Sequence, residues 1–91
     1  MSAPILFRDD DSGFFDWLDA NSTGYFVNSE RNPRPAYLVL HRPPCHHFDR
    51  SPQVQWTKNY VKHCAIDRKE LEAWAAREVG GELTLCRTCF G

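Results

Sequence analysis

The sequence predicts a small α+β domain in which an antiparallel sheet carries two helices. Three patterns lead there. Residues 36–42 alternate, with Leu38 and Leu40 on one side and Tyr37, Val39 and His41 on the other, which is the period of a strand. Residues 67–79 place Leu71, Trp74, Ala75 and Val79 at helical spacing on one face. The element order, a helix, then strands, then a helix, then a cysteine-rich end, suits a sheet packed on its second helix.

Taken in order, residues 1–11 read as a flexible tail or a loose first strand. Ser12 caps a short helix that turns Phe14, Phe15 and Leu18 to one face, with Trp17 beside them. Asn21, Ser22, Thr23 and Gly24 end it. Tyr25 to Asn28 is aromatic and β-branched, hence a strand. Arg31-Asn32-Pro33-Arg34-Pro35 reads as a turn, because two prolines oppose regular pairing. After the 36–42 strand, whose two partly apolar faces call for cover on both sides, the chain turns at Pro43-Pro44. Residues 45–55 read as irregular. Trp56 and the run Tyr60 to Cys64 add one more strand or strand pair. Asp67 with Glu70 forms a capping box ahead of the second helix, and Gly80-Gly81 stops it.

Ninety-one residues make one domain, 1–91, with a thin core; such chains bury about 60–65% of their unfolded surface. Domains of this size often add a staple, and four cysteines allow one. The start lacks a basic region followed by an apolar run, and no stretch reaches the roughly 18 apolar residues of a membrane helix. The expectation is a cytoplasmic protein with no membrane attachment, in a reducing compartment where cysteines serve as ligands, catalysts or core residues rather than disulfides.

Two ligand pairs supply the staple. His41-x3-Cys45 follows the strand across a Pro-Pro turn, and Cys86-x2-Cys89 follows the second helix. A two-residue gap lets both thiolates of a tight turn face one ion, and zinc takes four such nitrogen and sulfur ligands in a tetrahedron. Structural zinc contributes about 10–16 kcal/mol of apparent binding free energy in finger peptides, and that energy counts toward folding. Three thiolates, one neutral imidazole and Zn²⁺ leave one net negative charge, which Arg42 and Arg87, each beside a ligand, can offset. Cys64, His46 and His47 are alternative ligands. Cys64 also reads as a buried strand cysteine, and His46 and His47 as exposed turn residues. His63 and Cys64 are consecutive, so a strand turns them to opposite faces and separates any Cys–His nucleophilic pair.

The order His-Arg-x-x-Cys, strand, helix, Cys-x-x-Cys resembles the small metal-binding module of Ada-type DNA alkylation-repair proteins, and short domains appended to some nucleases. In that family two pairs, C-x3-C and C-x2-C, hold zinc beside a small sheet. The matching residues are His41, Cys45, Cys86 and Cys89, within residues 37–91. Where the family has its methyl-accepting cysteine this chain has His41, so the resemblance implies a zinc scaffold and an association with DNA, not methyl transfer. The chain also resembles small actinobacterial-type proteins that carry Gly-Tyr-x-x-Asn, Tyr-x-x-Leu-His-Arg-x-x-Cys and Leu-Glu-x-Trp-Ala, here at residues 24–28, 37–45 and 71–75. That likeness brings little function with it.

Catalysis is the least favoured class. No H-E-x-x-H, deaminase signature or glycine-rich phosphate loop occurs, and four protein ligands would close the zinc shell to water. A zinc-dependent hydrolase returns only with an open three-ligand site. The favoured function is a zinc-stabilised, non-catalytic recognition module whose partner is a protein or a nucleic acid; the alternative is a DNA-associated accessory to repair or nuclease systems. Net charge is -1, yet residues 1–30 hold one basic and six acidic side chains, and residues 31–65 six basic and one acidic. The candidate contact face is Arg31, Arg34, Arg50, Lys58 and Lys62, with Tyr37, Phe48, Trp56 and Tyr60 interleaved for base stacking. Against that, most aromatics of so small a chain build its core. The acidic front and basic middle could equally match a protein partner or pair head to tail in a homo-oligomer.

Overall fold

The structure, a computed structural model, describes residues 4–42 and 56–87. Within them the chain forms strand β1 (Ile5–Phe7), helix α1 (Asp11–Ala20), strands β2 (Tyr25–Arg34), β3 (Tyr37–His41) and β4 (Tyr60–Ala65), helix α2 (Arg68–Trp74) and strand β5 (Thr84–Leu85). A π-helical turn, Ala75–Val79, continues α2. The five strands form one sheet in the order β1-β4-β2-β3-β5. The domain is α+β with two helices, as the sequence predicts. Its sheet is mixed rather than antiparallel, because β5 runs parallel to β3.

Pairing is antiparallel between β1 and β4, β4 and β2, and β2 and β3. The register sorts side chains onto two faces. One row runs Ile5, Cys64, Phe26, His41 across four strands, and the next runs Leu6, His63, Val27, Leu40 on the opposite face. Helix α1 covers the first face, where Phe14 and Leu18 pack with Phe26 and Cys64. Helix α2 covers the second, where Leu71, Trp74 and Ala75 pack with Val27, Leu38, Leu40 and Ala65. Cover on both sides is what the apolar content of both faces of residues 36–42 requires. No helix of the described residues is long and apolar enough to cross a membrane.

Several local expectations change. Of the two readings of residues 1–11, the strand holds for residues 5–7, a paired edge strand, and residue 11 opens α1; residues 1–3 lie outside the described residues. Asp10, not Ser12, caps α1: its carboxylate accepts the Gly13 N–H at 2.9 Å, and Ser12 lies inside the helix. Strand β2 extends through residues 31–34, which read as a turn in the sequence. The prolines still leave their mark, since the β2–β3 register jumps from Ser29↔Leu38 to Arg34↔Tyr37. The hairpin itself turns at residues 35–36. Asp67 caps α2 by accepting the Lys69 N–H at 2.9 Å. The helix stops at Gly80, whose φ of 78° is the left-handed region glycine favours, and both Gly80 N–H and Gly81 N–H close on the Ala75 carbonyl.

Candidate metal centre

Parallel pairing of β5 on β3 sets Val39 opposite Thr84 and Leu40 opposite Leu85. The Cys86 N–H then donates to the Leu40 carbonyl at 3.0 Å. The pairing ends there, and His41 and Cys86 are the next residues along the two chains. Neighbouring strands lie about 4.8 Å apart. Two donors on one tetrahedral zinc lie about 3.6 Å apart, given Zn–S near 2.3 Å and Zn–N near 2.0–2.1 Å. Both residues are buried, His41 at 7% exposure and Cys86 at 5%. The His41 ring stacks on Phe26 with centroids 5.1 Å apart and planes 14° from parallel, which holds the imidazole in place.

The structure therefore brings the segments that carry one member of each predicted ligand pair to neighbouring strand ends, with Cys86 bonded through its N–H to the residue before His41. Their partners Cys45 and Cys89 lie outside the described residues, as do the alternatives His46 and His47. Among the described residues no group of three or more His, Cys, Asp or Glu side chains could hold a metal ion. Arg42 and Arg87 flank the pair and are exposed.

Cys64 sits elsewhere. It shares the row with His41, but Phe26 stands between them, so two strand spacings, about 10 Å, separate their backbones. Its side chain is fully buried against Phe14, Leu18 and Phe26. Burial pushes its thiol far above the usual range, against a weaker pull from Lys62. A thiol so buried in an apolar cluster serves there as a packing residue.

His63 points to the opposite face, as strand alternation demands, and its ring lies 4.1 Å from that of Trp74. Its Nε2 is 2.9 Å from Ser29 Oγ, while the Ser29 hydroxyl donates to the Glu30 carbonyl at 3.0 Å. If the hydroxyl proton goes to Glu30, the neutral imidazole takes the tautomer whose Nε2–H donates to serine. That is the reverse of a base activating a nucleophile. Burial, reinforced by the charges of Lys62 and Arg8, pushes His63 down to about 4, so it is neutral near pH 7.

The candidate contact face does not assemble as the sequence suggested. Lys62 is buried, at 3% exposure, and its ammonium donates to Asn28 Oδ1 at 2.6 Å and to the Trp56 carbonyl. Burial lowers its pKa to about 8, partly offset by Asp11. Arg31 forms a two-pronged pair with Asp9, both contacts at 3.0 Å, and also donates to the Lys58 carbonyl. Arg34 pairs with Glu30 at 2.6 Å. Lys58 is exposed, and Arg50 lies outside the described residues. The acidic front of the chain thus folds onto its basic middle. Asp11 extends this: its carboxylate accepts the Trp56 and Thr57 N–H groups, each at 2.9 Å, and the Thr57 hydroxyl. Although burial pushes Asp11 up, those hydrogen bonds hold its carboxyl below the usual value.

Sequence reasoning missed three of these positions. Phe26 as the wall beside His41, Asp11 as the clasp on residues 56–57, and Ser29 under His63 all depend on strand register. The odd sign of Lys62 inside an apolar strand run was the one available signal. No family model, curated protein or solved structure matches the chain.

Proposed function

We propose that the domain is a zinc-stapled, non-catalytic recognition module with a protein as its partner. What supports the metal half is that His41 ends β3 and Cys86 directly follows β5, its parallel neighbour, and that both are buried. Cys45 follows four residues after His41, and Cys89 three after Cys86, so each pair can complete a tetrahedral set through a local turn.

The choice of a protein partner over a nucleic acid follows from the charges. A phosphate-binding face needs cations that are open to the strand. Here Arg31 and Arg34 are engaged by Asp9 and Glu30, and Lys62 is inside.

Elemental analysis of the purified chain, repeated on single alanine substitutions of His41, Cys45, Cys64, Cys86 and Cys89, tests the metal. One zinc per chain is expected, lost on Cys86→Ala and kept on Cys64→Ala. A folded protein without metal would sink the reading. Chromatography on heparin and on oligonucleotides tests the partner class: weak retention, insensitive to the basic substitutions, is expected. Tight retention that falls steeply with salt would transfer the assignment to nucleic acid.

A further inference from the structure

We infer that the open edge of β1 is a self-association surface: two copies of the chain pair β1 to β1, antiparallel, about a two-fold axis at Leu6, and so join their sheets. Among the described residues β1 has no neighbour beyond β4. The register fixes which backbone groups it leaves over. The Cys86 N–H reaches the Leu40 carbonyl, so the Leu40 backbone groups point toward β5. Both groups of a strand residue point to one side, and in antiparallel pairs hydrogen-bonded and non-bonded rungs alternate. Val27, opposite Leu40, therefore turns its N–H and C=O to β4, and His63 answers them. Leu6, opposite His63, is left to turn its own N–H and C=O to the open edge.

The side chains match that edge. Ile5 is 49% exposed and Leu6 44%, on opposite faces of the strand. Edges of this kind are usually blunted by a charged side chain, and residues 5–7 carry none. A second copy fits the limits of the strand. Pro4 has no N–H to extend a ladder, and Asp9, with a φ of 54°, turns the chain out of it. A longer partner strand would run past both limits, whereas a copy related by a two-fold axis stops where this one stops. With the axis at Leu6, the two Leu6 residues exchange both backbone hydrogen bonds. Ile5 of each copy then falls across from Phe7 of the other, whose ring lies 6.0 Å from that of Phe14 at the rim of the core. Like charges do not meet, because Arg8 falls across from Pro4 and Asp9 is held by Arg31. Three rungs bury much less than the roughly 1,200 Å² of stable interfaces, so the association is weak and reversible. It rests on no metal.

Sedimentation velocity on the full chain tests this. Between about 10 μM and about 1 mM the average mass is expected to rise from one chain toward two. Leu6→Pro removes the outward N–H without breaking a bond inside the chain, and is expected to weaken association at least about tenfold. Leu6→Lys, which sets two like charges at the axis, is expected to do the same and guards against a disturbed strand in the proline variant. Leu85→Lys, on the opposite edge of the sheet, is expected to leave the mass profile unchanged, with circular dichroism confirming that all three variants fold. A single-chain mass throughout would overturn the inference. So would a dimer that survives both Leu6 substitutions, or one abolished by Leu85→Lys, since another surface would then carry it.

Discussion

His63 makes the stability of this domain depend on acid in a way that can be calculated. Its imidazole is held neutral between Ser29 and Trp74, with its pKa near 4 against 6.5 for an exposed histidine. Above pH 6.5 the ring is neutral in both folded and unfolded chains and the full stability is present. As pH falls below that value the unfolded chain takes up a proton that the folded one refuses. The loss grows until the folded pKa is reached and then levels off. With these two values the loss is about 1 kcal/mol near pH 5.5 and about 2–3 kcal/mol near pH 4.5. His63→Gln keeps an N–H that can reach Ser29 Oγ and removes the titration. Urea unfolding of both proteins from about pH 7 to about pH 4.5 isolates the effect, because carboxylates and thiolates that also titrate are common to the two. The substituted protein is expected to lose less stability by about 2–3 kcal/mol over that range. Parallel pH profiles would refute the account, since they would mean that the ring is open to protons in the folded state.

Other substitutions test the fold. Asp11→Ala removes the acceptor of two backbone N–H groups and a hydroxyl and is expected to cost about 2 kcal/mol in urea unfolding, with faster amide exchange at Trp56 and Thr57. An unchanged midpoint would show that this clasp is made equally well by water. Gly80→Ala meets nothing within 4 Å, so its cost is backbone strain alone, about 1 kcal/mol of thermal or chemical stability. Arg31→Ala is expected to leave the unfolding midpoint unchanged, because its pair with Asp9 is exposed; a clear loss that vanishes at high salt would contradict this.

Local structure was legible wherever a short stretch of chain decides it. The alternation of residues 37–41 assigned Leu38 and Leu40 to one face and His41 to the other without any knowledge of neighbours, because strand side chains alternate by stereochemistry. The second helix, its Asp67 cap and its glycine stop were likewise written locally. So was the separation of His63 from Cys64. The helix start failed by two residues because Asp10 and Ser12 are both competent caps, and only the approach of Asp11 to residues 56–57 selects between them.

Long-range register decided the rest. Nothing in residues 82–86 announces that 84 and 85 will pair parallel to β3, yet that pairing alone brings the Cys86 N–H onto the Leu40 carbonyl, while the β2 register leaves Cys64 two strands from His41. The charge asymmetry was plain in the sequence, but its meaning was not. Whether Arg31 and Arg34 face a partner or Asp9 and Glu30 depends on where β2 meets the start of the chain. Lys62 is the sharpest case, a strand lysine whose face is set by its pairing with Asn28 and which therefore enters the core instead of solvent. Amino-acid order determined which elements form and which side chains share a face, since those follow from bonds a few residues apart. Which faces meet was settled only when the five strands took their places, because the pairing of distant strands is chosen by the burial of the whole sheet.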